Sequence, residues 1–102
     1  MRSIRLSAAA RSEFVKEVSY YENIQKGLGR RFREAVTTAF RKAAEFPLHG
    51  KPGVADTRRL LVAGFPFAIV YIPAETEIVV HAVAHVSREP MDWAARLDSS
   101  GT

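Results

Sequence analysis

The sequence predicts an α+β domain: an N-terminal strand, an antiparallel helix hairpin packed on an antiparallel β-sheet, and a short C-terminal helix. Three observations predict it. Residues 28–45 repeat apolar side chains at a helical period. Gly27-Leu28-Gly29 interrupts the helical pattern that precedes it, and residues 58–85 hold three strand-like runs separated by turn residues. Helices grouped before a run of strands place the hairpin on one face of a single sheet.

The elements follow in order. Ser3 to Leu6 alternates polar and apolar, as a short strand does. Ser7 is placed to cap a helix, because its side-chain oxygen can accept from a free amide in the first turn. From Ala8 to about Gln25, Phe14, Val18 and Tyr21 recur at i, i+4, i+7, with Val15 and Ile24 widening the stripe. Gly27 suits the C′ position of this helix, where a left-handed backbone excludes most side chains. The second helix spans Leu28 to Glu45, with Phe32, Val36, Ala39, Phe40 and Ala43 on one face. So short a connection makes the two helices antiparallel. Phe46-Pro47 ends the second helix, since the residue before proline is biased away from α. Leu48 to Thr57, with Gly50, Pro52 and Gly53, reads as an irregular surface loop. Arg58–Ala63, Phe65–Ile72 and Glu77–His85 are the strand runs, turned by Gly64 and by residues 73–76 into an antiparallel meander. The run from Ile78 to Ala84 is apolar on both faces and suits an interior strand. Pro90 to Arg96 is expected to close the fold as a short helix with Pro90 at its first position.

The bulk properties bound the biology. The chain's 102 residues make one domain, expected over 1–97 with a frayed tail at 98–102. There is no cysteine, so neither disulfides nor thiolate metal sites reinforce it, which fits a reducing cytoplasm. Met1-Arg2-Ser3-Ile4-Arg5-Leu6 carries charge where a secretory peptide needs an apolar run. No stretch approaches the roughly 20 apolar residues of a membrane helix. The net charge of +4 and pI of about 9.9 favour nucleic acid or an acidic protein as partner.

Three stretches carry a family resemblance: Tyr20-Tyr21-Glu22 with Gly27-Leu28-Gly29-Arg30-Arg31-Phe32, Arg58-Arg59-Leu60-Leu61 leading to Phe65–Tyr71, and Ala82 through Pro90 ending at Trp93. In this order the chain resembles the RelE/ParE toxin superfamily, with the hairpin favouring the ParE-like branch. The resemblance implies the toxin of a type II toxin–antitoxin pair, serving stress response or plasmid maintenance. RelE-like members cut mRNA on the ribosome, and ParE-like members poison DNA gyrase. The partner it implies is an acidic cognate antitoxin whose C-terminal segment folds on the toxin, filling an apolar groove or extending a sheet edge. A homodimer or a heterotetramer with antitoxin are the assemblies open to it. No cofactor is implied.

RNA cleavage needs a base, a cation beside the phosphate and an acid. The candidates are Arg58, His85 and Arg88. Arg58 and Arg59 are adjacent on a strand and face opposite ways, so at most one lines a given surface. Either is a candidate for phosphate or target binding, against an ordinary role in an ion pair. Arg88 falls where the resemblance places a phosphate-binding arginine, with Glu89 as an alternative salt-bridge partner. His85 ends the last strand, and imidazole is a workable acid or base, but packing explains most strand histidines. His81 is four residues earlier, about 13 Å along the strand, too far to share a metal, so no metal site is expected.

Two features weigh against a nuclease. Trp93 stands where many RelE-like enzymes have tyrosine, and indole is a donor with no acid–base function. The loop before the meander carries only Lys51 where such nucleases cluster cations. Tyr71 can supply a phenol, though packing is its simpler role. Arg30, Arg31, Arg41 and Lys42 share their arc of the second helix with Glu34 and Glu45, which makes a mixed solvated face. Three readings stand: a gyrase inhibitor, a ribosome-dependent mRNA endonuclease, and an inactive member that keeps only antitoxin binding.

Overall fold

The computed structural model describes residues 1–87. Its elements are β1 (Ser3–Leu6), α1 (Ala8–Ile24), α2 (Leu28–Glu45), β2 (Lys51–Pro52), β3 (Arg58–Leu61), β4 (Phe67–Pro73) and β5 (Glu77–His85). They form one five-stranded sheet in the order β1-β5-β4-β3-β2, with the helix hairpin on one face. The expected closing helix, the domain end at 97 and the tail at 98–102 lie outside the described residues.

The meander is antiparallel as expected, with Arg58 opposite Tyr71 and Phe67 opposite His85. The sheet as a whole is mixed, because β1 runs parallel to β5, pairing Ser3 with Glu77 through Leu6 with Val80. Chain reversals explain this. Each element from β1 to β5 turns back on the last, and β2 supplies the extra traverse that leaves β5 pointing the same way as β1. The stretch expected to be irregular thus contains a short strand and one tight turn at Val54–Asp56.

The apolar stripe of α2 forms the floor of the core. Phe32, Val36 and Ala43 are fully buried, and Ala39 and Phe40 nearly so. Phe32 packs at 5.0–5.2 Å centroid distance against Tyr21, Phe65 and Phe67, joining the hairpin to the sheet through edge and tilted ring contacts. Ser7 caps α1 by accepting from Ala10 N–H at 3.0 Å. Gly27 takes the left-handed backbone expected of it, φ +88°, but as the N-cap of α2, two residues beyond the Gln25 cap of α1. Glu22 replaces a capping side chain there, accepting from the N–H groups of Gly27 and Gly29.

The turn between β3 and β4 is wider than the sequence pattern implied. The β3–β4 ladder ends at the pair Leu61–Ala68, and one further bond, Val62 N–H to Phe67 O at 2.8 Å, closes the turn. Pro66 has no N–H for a ladder, and Phe65 leaves the sheet to pack against Tyr21 and Phe32.

Candidate functional site

Residues 46–57 leave α2, run along the margin of the sheet and enter β3. The loop is clamped from beneath. Tyr71 is fully buried on β4, and its hydroxyl donates to Pro47 O at 2.7 Å while accepting from Gly50 N–H at 3.1 Å. Arg58, its cross-strand neighbour, donates from one guanidinium nitrogen to Leu48 O at 3.1 Å and Gly50 O at 2.9 Å. A Cβ on Gly50 would lie 2.5 Å from the Tyr71 hydroxyl and 3.0 Å from Arg58 Cβ, so only glycine lets the backbone approach this closely. Burial raises the pKa of the phenol, against the opposing pull of Gly50 N–H and the Arg58 charge, so Tyr71 stays neutral at ordinary pH. The second half of the loop closes on itself, with Gly53 N–H bonded to Thr57 O and Thr57 Oγ1 to Val54 O.

What the clamp presents is basic and apolar. Lys51 on β2 lies directly opposite Arg59 on β3, and both are exposed. Lys42 from α2, His49 from the loop, and Leu60 and Leu61 complete a shallow depression of about 460 Å³ with them. No carboxylate pairs with Lys42, Lys51 or Arg59 among the described residues. Like charges directly opposite in an antiparallel pair are unfavourable. The fold therefore carries a small electrostatic cost at Lys51–Arg59. Large exposed apolar side chains crowd the same margin: Leu48 is 70% exposed, Leu61 68% and Phe46 57%. A second groove of about 500 Å³ adjoins it, sharing His49 and lined by Phe46, Pro47, Leu48 and Pro73.

The sequence candidates divide between two ends of the sheet. Arg58 is committed to loop carbonyls, and Arg59 is the member of the pair that faces out. His85 lies elsewhere. Four residues along β4 and two strand spacings separate it from Arg58 by roughly 16 Å at the backbone. Its Nδ1 accepts from Ser87 N–H at 3.1 Å and contacts Ser87 Oγ at 2.8 Å, and its ring packs edge-on to Phe67 at 5.4 Å. Arg88, Glu89 and Trp93 lie outside the described residues. Among the described residues no group of three His, Asp or Glu could hold a metal, and no helix is long and apolar enough to cross a membrane. His49, Lys42 and Leu61 were not apparent as site residues in the sequence. The alternation of β3 carried a signal for one of them, since Leu61 shares a face with Arg59.

Fold and surface together define a small α+β domain, with a clamped loop and cations without carboxylate partners among the described residues at one margin of its sheet. The family model for the ParE toxin of the type II toxin–antitoxin system parDE matches residues 4–90, and the chain belongs to that family. Among solved structures it is similar to the chromosomal ParDE toxin–antitoxin system from P. aeruginosa, with a TM-score of 0.72 and 15% identity. That match covers 83% of this chain and 96% of the other, and it shows the shared fold. A comparison with curated protein sequences gives no match.

Proposed function

We propose that this ParE-family toxin acts by binding DNA gyrase through the clamped basic loop, and that an acidic cognate antitoxin neutralises it. Lys51 and Arg59 are the side chains that meet the target, and Arg58 and Tyr71 hold the loop in shape. The observation that carries the reading is the unpaired, directly opposed Lys51–Arg59 pair beside exposed Leu61. Cations held against each other gain from a carboxylate-bearing surface, and an apolar neighbour gives that contact a desolvated centre.

The endonuclease reading has less support. Cleavage by a 2′-hydroxyl requires base, acid and phosphate-binding cation around one phosphate. Arg58 is engaged by two loop carbonyls and His85 lies at the other end of the sheet.

The test is induced expression in bacteria with plasmid topology, DNA breaks and transcript ends followed together. Relaxed plasmid and double-strand breaks are expected, with transcripts intact. Cleavage inside translated codons would favour the endonuclease instead. Normal growth with abundant folded protein would leave only the inactive-member reading.

A further inference from the structure

The outer face of α2 holds charge that the fold does not use. Arg30 approaches Glu34, four residues on, at 4.0 Å. Arg33 and Arg41 differ: among the described residues neither guanidinium meets a carboxylate or a carbonyl. Both are exposed, and both line one shallow depression of about 270 Å³ with Glu34, Thr37 and Thr38. Thr37 sits midway. Arg33 lies four residues before it and Arg41 four after, each about 6 Å away along the axis and on the same side of the helix. The two guanidinium groups can therefore converge above the Thr37 hydroxyl. That hydroxyl has no hydrogen-bond partner among the described residues, whereas the Thr38 hydroxyl donates to Glu34 O at 3.0 Å. Glu45, the next carboxylate along α2, lines the separate groove beside Phe46.

We propose that Arg33, Thr37 and Arg41 form a phosphate seat for the backbone of duplex DNA. Two planar forks and a hydroxyl, all able to donate, match the oxygens of one phosphate diester. A protein surface fits less well. Protein interfaces centre on buried apolar side chains, and no large apolar side chain lines this depression. Phosphate contacts need no such centre, because released counterions drive them. Single strands fit less well too, since no aromatic ring lines the depression for a base to stack on. The choice of DNA over RNA rests on the gyrase reading, because that enzyme acts on duplex DNA; the phosphate seat itself does not depend on it. Contact with both components of a gyrase–DNA complex raises residence there through effective concentration.

The test is anisotropy of a labelled DNA duplex titrated with the purified chain across a salt series. The native chain is expected to bind, with log affinity falling as log salt rises. Arg33→Gln with Arg41→Gln is expected to weaken binding about tenfold and to reduce the salt slope by about 1. Lys16→Gln with Lys26→Gln removes the same charge from exposed positions off α2, and a change of no more than about twofold is expected. Thr37→Val removes the free hydroxyl without changing charge, so a loss of about threefold with an unaltered slope is expected. Thr38→Val, whose hydroxyl is already engaged, is expected to bind as the native chain does. Urea unfolding checks that each variant is folded. No salt-dependent binding by the native chain, an equal loss in the Lys16–Lys26 control, or tighter binding of duplex RNA or single strands would overturn the proposal. Displacement by polyglutamate as readily as by unlabelled duplex would overturn it in favour of an acidic protein. A chain that binds duplex DNA through these residues yet leaves gyrase uninhibited would support the seat and count against the gyrase reading alone.

Discussion

The two margins of the sheet are finished in different ways. At the β2 side the backbone is tied down and the side chains are left unsatisfied. Tyr71 and Arg58 bond the Pro47–Gly50 stretch four times, and Lys42, Lys51 and Arg59 stand without carboxylates. At the β1 side the side chains are matched and the backbone is open. Arg5 is paired with Glu77 at 2.9 Å, while the Ile4 and Leu6 peptide groups are bare. A rigid loop with free charges suits recognition by side chains, because little conformational entropy is lost on docking. An open strand suits recognition through the main chain. One small domain thus finishes its two opposite edges in opposite ways.

Gly50→Ala attacks the contrast hardest. The new methyl would meet a hydroxyl that cannot move, because Tyr71 is fully buried. Overpacking together with loss of the clamp is expected to lower unfolding free energy by about 2–4 kcal/mol, measured by urea denaturation. Tyr71→Phe keeps the packing and removes the hydroxyl, leaving Gly50 N–H and Pro47 O without that partner. A loss of about 1–3 kcal/mol is expected. Exchange of the Gly50 amide is expected to speed up while the Ile4 amide is unchanged, which checks that the two margins are independent.

Glu13→Gln probes the other side. Its carboxylate finishes the β5 edge at Val83, and the amide can still accept but without charge assistance. A loss of about 1 kcal/mol or less is expected, with the β2 margin unaffected. A titration effect near β1 is smaller again. His81 has its pKa lowered, chiefly by burial and then by the Arg5 charge. The unfolded chain therefore takes up the proton first as pH falls. Stability is expected to decline as pH drops below the ordinary histidine value, and the slope is expected to flatten in His81→Gln.

The helices and the strands β1 and β5 were legible because their signals are local. The bounds of β1, α2 and β5 follow from runs of alternating or periodic side chains, and Ser7 announces the start of α1. The clamp was not legible. Tyr71 meets residues 21 and 24 positions earlier, and nothing near Pro47 or Gly50 in the sequence points to a phenol so distant. Of the Arg58–Arg59 pair, strand alternation said that only one faces any surface, but which one depends on where the loop lies. The Lys51–Arg59 juxtaposition was hidden for a related reason. It exists only because part of an apparently irregular loop pairs as β2, and that same pairing makes β5 parallel to β1. Where chain order carried the information, sequence sufficed; where register across the sheet carried it, coordinates were needed.

Lys51→Glu tests the central claim most directly, because it separates stability from function. Replacing one of two opposed cations by an anion turns a repulsive cross-strand pair into an attractive one. The variant is expected to gain a few tenths of a kcal/mol in unfolding free energy. It is also expected to lose growth inhibition in cells and gyrase inhibition in a supercoiling assay with the purified chain. A Lys51→Glu protein as toxic as the native chain, or one that is destabilised, would contradict the assignment of this margin as the target-binding surface.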